Sequence, residues 1–450
     1  MTLVRTISLV ALYLSATIVH GLPSQLLNPR AALLPEDDPF YVPPPGFEDS
    51  APGTILRHRN TPAPIAAFGF APVNLDGAYQ LLYRSSDNFG RPAATVSTVL
   101  IPHGADFSKV LSYQFAEDAA SPNCAPSYAL QKGSESGGHL GTATTHAEFI
   151  LVMAALERGW VVTAPDFEGS NAAFLANLRA GYATLDGIRA TLASKKITGV
   201  SKEATVAMWG YSGGSLASGF AAELQPSYAP ELKIVGAALG GTVPNIKTAL
   251  AAINKGDSAG LIPAGILGLA HEYPEIQAII DEQIVAEKRE EFLKAEVECL
   301  NANRQRFDKV DIYTYIKGGE AVLNSPTVNR VLAENSMGQH TPEIPLLVYK
   351  AVRDEISWVN DTTALVNKYC NEGASVDYRL SKSGGHIDLA VIAAPDALLW
   401  LDKRFRHITP QKGCVSSTRF TPLESPWAFA VLTETLANLL LNILHKPIGN

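Results

Sequence analysis

The chain has 450 residues, of which 46% are hydrophobic and 18% are charged, and its formal net charge is −8 at pH 7. This length allows one large α/β domain with insertions or two or three smaller domains, and the composition is that of a globular chain. The acidic balance excludes the basic surface that nucleic-acid binding requires.

The N-terminal segment predicts secretion. Residues 1–21 contain one arginine followed by an apolar run from Ile7 to Val19, and small residues occupy Val19 and Gly21, where a signal peptidase reads. A membrane anchor is the alternative interpretation, but the run is short and no stop-transfer pattern follows it. We therefore expect a secreted, extracellular protein that is cleaved after Gly21.

The next elements are an extended arm and a hairpin. Residues 22–53 are rich in proline, which indicates an arm on the surface rather than a core element. From Tyr79 to Pro102, two β-patterned runs flank a turn that contains Asp87 and Asn88, which predicts a β-hairpin.

From there to residue 380 the pattern alternates between strands and helices. Strands are predicted at 109–115, 160–166, 204–209, 233–240, 344–351 and 374–380. Helices are predicted at 181–193, 214–224 and 362–371. Short apolar strands separated by helices predict an α/β fold, with a mostly parallel sheet covered on both faces.

Two segments depart from this alternation. Residues 245–340 contain helical stretches such as 279–297 but no β/α repeat, which predicts an inserted helical cap, or lid. Within 427–444, apolar residues form a helical stripe, at positions 429, 432, 436, 439, 440, 443 and 444. This segment is either a packed terminal helix or a flap at an interface or over a site, and it is too short and too polar to span a membrane.

These segments give a predicted domain organisation. It consists of a signal peptide (1–21), an N-terminal arm (22–78), the first part of the core (79–244), the lid insertion (245–340), the second part of the core (341–406) and a C-terminal segment (407–450).

Cysteine usage fits an oxidising compartment. The chain has four cysteines, Cys124, Cys299, Cys370 and Cys414, so we expect disulfides, for which three pairings exist. No spacing suggests zinc, and we predict no metal or cofactor. The sequon at Asn360 predicts a glycosylated surface position if it is used.

The segment G-Y-S-G-G predicts a catalytic nucleophile. It places Ser212 in the pattern G-x-S-x-G, after a predicted strand and before a predicted helix. A nucleophile on such a sharp turn needs small neighbours, because the backbone closes on itself there. A turn that is merely rich in small residues is the alternative, and the strand–turn–helix context disfavours it.

A serine nucleophile needs a base and an acid, which follow it in this order: serine, acid, histidine. Of the later histidines, His386 alone lies in a glycine-marked loop directly after a predicted strand, so it is the candidate base. Asp354 closely follows the strand 344–351 and is the candidate acid, with Glu355 as a weaker one.

The reaction also needs donors for the oxyanion. The residue after the nucleophile, Gly213, supplies one through its backbone N–H. The second should come from the loop after the strand 109–115, where we choose Asp118, acting through its backbone N–H or through a protonated side chain. An ionised carboxylate there would repel the oxyanion.

Several segments together resemble one family. These are D-D-P-F-Y, S-Y-Q-F-A-E-D-A, C-A-P-S-Y, G-Y-S-G-G, S-Y-A-P-E-L-K-I-V-G-A and R-D-E-I, within about residues 37–406. In them the chain resembles the fungal secretory lipases of the lipase-A-like family. Around His386 and in the C-terminal segment it departs from the family pattern.

The resemblance implies an α/β-hydrolase core with a helical lid and a Ser-Asp-His triad. It maps the triad to Ser212, Asp354 and His386, and for the oxyanion donor Asp118 it is the main argument. It also implies the pairs Cys124–Cys299 and Cys370–Cys414.

We therefore expect a serine carboxylic-ester hydrolase of the triacylglycerol lipase type that works through an acyl-enzyme. Its partners would be an ester substrate and, transiently, a lipid interface, and we expect a monomer. A small-molecule esterase that deacylates a secondary metabolite is the alternative. A non-catalytic binding protein on the same scaffold is a more distant one. Acyl-chain length and natural substrate stay open.

Overall fold

The structure is a computed structural model that describes residues 32–134, 138 and 141–449. The predicted signal peptide (1–21) and residues 22–31 of the predicted arm lie outside these described residues. No helix within them is long and apolar enough to cross a bilayer.

The strands of the described chain follow in sequence order. They are β1 (Ile55–Asn60), β2 (Ala66–Ala67), β3 (Ala71–Pro72), β4 (Gly77–Ser86), β5 (Pro92–Ile101), β6 (Asp106–Gln114), β7 (Trp160–Pro165), β8 (Thr205–Tyr211), β9 (Ile234–Gly240), β10 (Leu346–Ala351), β11 (Val376–Ser381) and β12 (Cys414–Arg419). Each strand predicted from the sequence is confirmed, with ends that move by up to three residues.

In the described chain, ten of these strands form one sheet in the order β1-β4-β5-β7-β6-β8-β9-β10-β11-β12. The pairs from β1 to β7 are antiparallel, and those from β7 to β12 are parallel. The parallel strands therefore end at one common edge, where side chains from several loops can meet.

The α-helices surround this sheet. They are α1 (Pro126–Ala129), α2 (Ala143–Leu156), α3 (Asn177–Ala193), α4 (Lys195–Thr198), α5 (Gly213–Tyr228), α6 (Ile246–Ile253), α7 (Leu261–Ala270), α8 (Pro274–Gln283), α9 (Arg289–Leu293), α10 (Leu300–Arg306), α11 (Pro326–Glu334), α12 (Val359–Asn371), α13 (His386–Ile392), α14 (Ala394–Phe405) and α15 (Pro426–Ile443). Short 3-10 turns occur at Phe47–Asp49, Pro122–Cys124, Ala286–Lys288, Lys294–Glu296, Ile312–Tyr315, Gly319–Asn324 and Pro422–Glu424.

The sheet has a hydrophobic core on each face. In β8, Val206 and Met208 pack into one core, and Ala207 and Trp209 pack into the other. This alternation is the two-residue period of a strand whose two faces are both buried. Helices α3 and α5 cover the first face, and α2 and α14 cover the second. The expected mostly parallel sheet between helical layers is confirmed.

The predicted arm (22–78) is wrong in part, because it contains sheet and core residues. Strand β1 pairs with β4 at the edge of the sheet. Upstream of it, Phe40 and Tyr41 are buried in a small cluster with Leu82. The Arg59 guanidinium holds this segment, since it lies 4.0 Å from the centre of the Phe40 ring.

Between β9 and β10 the described chain forms helices α6–α11 and contributes no strand to the sheet. The continuous helix expected at 279–297 is wrong. Helix α8 ends at Gln283, because Ile284 forms an isolated bridge with Ile316 and the Val285 N–H donates to the carbonyl of Tyr315. These contacts hold the backbone extended, and α9 begins only at Arg289.

The second part of the core extends beyond its predicted end at residue 406. Strand β12 adds a parallel edge to β11, although its sequence C-V-S-S-T-R carries little apolar signal. A disulfide between Cys370 and Cys414 ties the start of this strand to the end of α12. The other disulfide joins Cys124 to Cys299, so both pairs that the resemblance implied are present.

The apolar part of the C-terminal segment forms one helix, α15. It packs on α2 and α14, on the face of the sheet opposite the core that includes the cap helices. This position favours the packed-helix interpretation over a flap. The predicted apolar stripe is wrong in part, because Leu440 and Leu444 are exposed while Ala428 and Val431 are buried. Beyond the helix, the end of the chain is tied to the region around β5, through bridges from Pro447 to Asn74 and from Gly449 to His103.

Candidate active site

Ser212 lies on the sharp turn between β8 and α5. Its backbone angles, φ 52° and ψ −121°, fall in a region that non-glycine residues rarely adopt. The Ser212 N–H donates to the carbonyl of Gly240 at the end of β9, which fixes the turn against the neighbouring strand. The strand–turn–helix context expected from the sequence is present, and it presents the hydroxyl at the edge where the parallel strands end.

The glycines around Ser212 are required by close backbone contacts. A Cβ on Gly210 would lie 2.1 Å from the carbonyl oxygen of Gly214. A Cβ on Gly214 would lie 1.9 Å from the carbonyl oxygen of Gln114 at the end of β6. Any side chain at either position would therefore push the helix away from the sheet.

The structure brings the three candidate triad residues together. His386 Nε2 lies 2.8 Å from Ser212 Oγ, and His386 Nδ1 lies 2.7 Å from Asp354 Oδ2. Asp354 follows β10, and His386 follows β11 and begins α13. All three side chains reach the carboxyl edge of the sheet from the ends of parallel strands β8, β10 and β11, as their positions in the sequence predicted.

The Asp354 carboxylate has donors on both oxygens. Its Oδ1 accepts from the backbone N–H groups of Ile356, at 3.0 Å, and Ser357, at 2.9 Å. Its Oδ2 accepts from His386 and from Lys350 Nζ, the latter at 2.9 Å. Burial alone would raise the pKa of Asp354, but the histidine, the lysine and the backbone donors lower it to about 2. The group is therefore an ionised acceptor for the imidazole.

Two further contacts hold the His386 main chain. The His386 N–H donates to Glu355 Oε2 at 2.9 Å, and the Tyr211 hydroxyl donates to the His386 carbonyl. Glu355, the weaker candidate acid, thus bonds to the histidine backbone rather than to the imidazole. Gly385 is needed beside it, because a Cβ there would lie 2.4 Å from Glu355 Oε2.

On the other side of Ser212, Asp118 lies directly against Gly213. A Cβ on Gly213 would lie 1.8 Å from Asp118 Oδ1, so the two candidate oxyanion residues adjoin each other. Asp118 has a φ of 47°, in the left-handed region that aspartate and asparagine tolerate better than other side chains. Burial raises the pKa of Asp118 to about 7, and its Oδ1 has no hydrogen-bond partner.

More buried carboxyl groups surround Asp118. Burial raises the pKa of Asp166 to about 7 and that of Glu148 to about 8. It also raises the pKa values of Glu117 and Glu168, and the negative charges of neighbouring carboxylates add to this rise. Glu148 accepts from the Ala116 N–H at 2.7 Å and so anchors the loop that carries Asp118. Among residues 32–134, 138 and 141–449, no cluster of three or more histidine, cysteine, aspartate or glutamate side chains is arranged to hold a metal ion.

The remaining predicted site residue is Asn360, which is exposed in the first turn of α12. Its use for glycosylation stays a prediction. Sequence reasoning missed Lys350, whose Nζ lies on the candidate acid. Part of the signal was available, because a lysine within the apolar strand segment I-P-L-L-V-Y-K-A needs a buried partner, but the segment does not say which residue that is.

Comparisons with known sequences agree on one family. The family model described as secretory lipase matches residues 134–413. Lipase A of Arthroderma benhamiae is 52% identical to the chain, over 100% of this chain and 97% of the relative. Lipase 5 of Candida albicans is 40% identical, over 97% of this chain and 95% of the relative.

Comparison with solved structures identifies the fold. The X-ray structure of Candida antarctica lipase A matches with a TM-score of 0.80 and 29% sequence identity. The match covers 93% of this chain and 99% of that lipase. The chain therefore has the α/β-hydrolase fold, as the resemblance implied.

Proposed function

The chain belongs to the secretory lipase family, and we propose that it is a secreted serine carboxylic-ester hydrolase of the triacylglycerol lipase type. In this proposal Ser212 is the nucleophile, His386 the base and Asp354 the acid. The observation that carries it is the continuous hydrogen-bond chain from Ser212 Oγ through His386 to Asp354, at 2.8 and 2.7 Å.

The mechanism follows from this chain of contacts. His386 Nε2 takes the Ser212 proton as Oγ attacks the ester carbonyl, and it then gives that proton to the leaving alcohol. A water activated by the same nitrogen hydrolyses the acyl-enzyme. Asp354 orients the ring and stabilises the imidazolium that forms in each step.

Gly213 and Asp118 would stabilise the oxyanion. The Gly213 N–H lies at the start of α5, where the helix dipole adds partial positive charge. The Asp118 N–H would be the second donor. Because burial raises the pKa of the Asp118 carboxyl to about 7, that group is protonated in acidic solution and adds no repulsive charge there.

The cap contains an apolar cavity that is a candidate site for a lipid acyl chain, although none of its lining residues belongs to the proposed triad. Its walls come from α6, α7, α8 and α11, and from the segment between α10 and α11. Gln283 is the one polar side chain among its lining residues. Leu175, from the loop after β7, closes one side. A cavity of this chemistry suits an alkyl chain better than a polar acyl group.

The sheet edge that carries Ser212, here called the catalytic edge, has exposed apolar side chains near it. They support contact with a lipid surface. Trp358 follows the Asp354 loop, Ile387 adjoins His386, Phe420 ends β12 and Trp427 begins α15, and each is at least half exposed. Aromatic and aliphatic groups in such positions insert readily into the boundary of a lipid phase.

Labelling with a fluorophosphonate tests the proposed nucleophile. Wild-type protein should be labelled and Ser212→Ala should not, whereas Ser215→Ala, in the first turn of α5, should still react. Absence of labelling in the wild type would leave a non-catalytic binding protein as the remaining alternative.

Esters of increasing acyl length then separate the two hydrolase hypotheses. The lipase proposal expects activity on emulsified long-chain triacylglycerols. Activity confined to acetate esters would reject it in favour of a small-molecule esterase while leaving the mechanism intact.

The lipid-surface contact has its own test. Trp427→Ser should lower activity on emulsified triacylglycerol but not on a water-soluble ester. Leu444→Ser is the matched control, because Leu444 is as exposed as Trp427, at 76%, but lies at the other end of α15. Equal losses in both variants would argue against a docking role for the catalytic edge.

Secretion is the last part of the proposal. The two disulfides support an oxidising compartment, and the family described as secretory lipase agrees with it. Expression of the full chain in a fungal host should yield protein in the medium whose first residue is Leu22. Recovery in the cell pellet with an intact N-terminus would reject this part.

A further inference from the structure

A buried lysine lies behind the proposed triad. The side chains of Lys350 and Asp354 are both 0% exposed. Lys350 Nζ donates to Asp354 Oδ2 over 2.9 Å and to the Thr242 carbonyl over 2.8 Å. The same Oδ2 accepts from His386 Nδ1. One carboxylate oxygen is therefore shared between the imidazole and a fixed ammonium group.

This arrangement changes the electrostatics of the site. A buried aspartate alone attracts a proton to its histidine, since the imidazolium and the carboxylate form a neutral pair. With Lys350 in place, Asp354 is already neutralised, and protonation of His386 would leave an excess positive charge in the protein interior, where charge is poorly screened.

Burial lowers the pKa of Lys350, and the Asp354 carboxylate opposes this lowering through its charge and its hydrogen bond. Asp361 and Glu355 oppose it from a greater distance. The same carboxylate that faces the histidine therefore favours the charged form of the lysine.

We infer that Lys350 is a positioning residue for the proposed reaction, and that its charge on Asp354 disfavours protonation of His386 in the resting enzyme. An imidazolium cannot accept the Ser212 proton, so this charge favours the form of the site that can react. This inference rests on the proposed function and deepens it.

The other titratable groups near the proposed triad do not place a positive charge on the Asp354 carboxylate. Tyr211 at the end of β8 and Glu355 in the loop after β10 bond to the His386 main chain, and Asp388 lies two residues further along α13. Asp361 on α12 acts on Lys350, and Asp118 in the loop after β6 lies against Gly213. The nearby cation Arg353 is exposed at the surface, where solvent screens it.

The test compares neutral and charged variants at position 350. For Lys350→Met, Lys350→Gln and Lys350→Arg, kcat/KM on a water-soluble ester and the rate of fluorophosphonate labelling are measured from pH 4 to pH 10. In both neutral variants the acid limb of the pH–rate profile should move to higher pH by about one unit or more, the effect of removing a charge at this range. This shift corresponds to roughly a tenfold loss of kcat/KM at pH 5, with little change on the high-pH plateau. Lys350→Arg should keep the wild-type midpoint.

A matched control separates the charge from the hydrogen bond. The Thr362 hydroxyl also donates to the Thr242 carbonyl, at 3.2 Å, so Thr362→Val removes a neutral donor from the same acceptor. Because it also removes the sequon at Asn360, it is compared with Asn360→Gln. The acid limb of the Thr362→Val profile should coincide with that of Asn360→Gln.

The outcomes are distinguishable. If Lys350→Met and Lys350→Gln lose rate equally at all pH values with an unchanged midpoint, Lys350 is only structural and the inference is wrong. Lys350→Gln keeps a neutral donor, so it provides the comparison if Lys350→Met does not fold. If the wild type itself is not labelled at Ser212, the proposed function fails instead.

Discussion

Two aspartates flank Ser212, and their surroundings give them opposite charge states. Asp354 and Asp118 are both buried, each with 5% of the whole residue exposed. Every acceptor position of Asp354 has a donor, and its pKa falls to about 2. Asp118 Oδ1 has none, and burial raises its pKa to about 7. Hydrogen-bond donors, rather than burial, therefore decide which aspartate suits the proposed acid and which suits the proposed oxyanion site.

The largest expected effect comes from neutralising the ionised member of the pair. Asp354→Asn keeps the shape but removes the anion that orients His386, so kcat should fall by about 10⁴-fold. Steady-state kinetics on a soluble ester measures this, with near-UV circular dichroism as a check of folding. A fall of less than tenfold in a folded variant would mean that another group, such as Glu355, takes over the role.

The second-largest effect on activity is expected when Asp118 is pushed away from Gly213. In Gly213→Ala the new methyl group would lie 1.8 Å from Asp118 Oδ1, so the donor N–H and the aspartate must move apart. Loss of one aligned oxyanion donor costs about 10²–10³-fold in kcat. Burst titration with an active-site label shows whether the fall lies in acylation. Unchanged kcat would remove Gly213 and Asp118 from the proposed oxyanion site.

A smaller effect should depend on pH. Asp118→Asn keeps the backbone donor and suits the left-handed conformation, but its side chain cannot ionise. Above pH 8, where the wild-type carboxyl is charged, the variant should be faster by several-fold, and below pH 6 the two should be similar. Parallel pH profiles would show that the Asp118 carboxyl does not face the developing oxyanion.

The same substitution should also affect stability. The folded-state pKa of about 7 lies above the unfolded value of about 4, so the wild-type protein loses stability from this group as pH rises from about 4 to about 7. Asp118→Asn should therefore match the wild type at pH 4 and exceed it by about 1–4 kcal/mol at pH 8. Thermal unfolding at both pH values measures this. An equal difference at pH 4 and pH 8 would contradict it.

The sequence predicted one side of this comparison better than the other. The turn at Ser212, the loop position of His386 and the placement of Asp354 after a strand follow from local pattern and chain order. The contact between Asp118 and Gly213 joins residues far apart in sequence, and no local pattern encodes it. Lys350 was overlooked because a strand pattern records which residues are apolar but not where a buried charge finds its partner. Strand β12 escaped prediction because its edge position leaves its side chains exposed and polar.

The tether at the end of the chain has a practical consequence. The Ile448 carbonyl accepts from the His103 N–H at 2.8 Å, and the Ile448 N–H donates to the Asn74 carbonyl at 2.9 Å, so the last described residues are fixed next to the end of β5. Because β5 runs antiparallel to β7, that end lies at the edge of the sheet opposite Ser212. A carrier attached beside this tether would therefore hold the protein with the Ser212 edge of the sheet facing outward, an orientation that suits immobilisation on beads or electrodes.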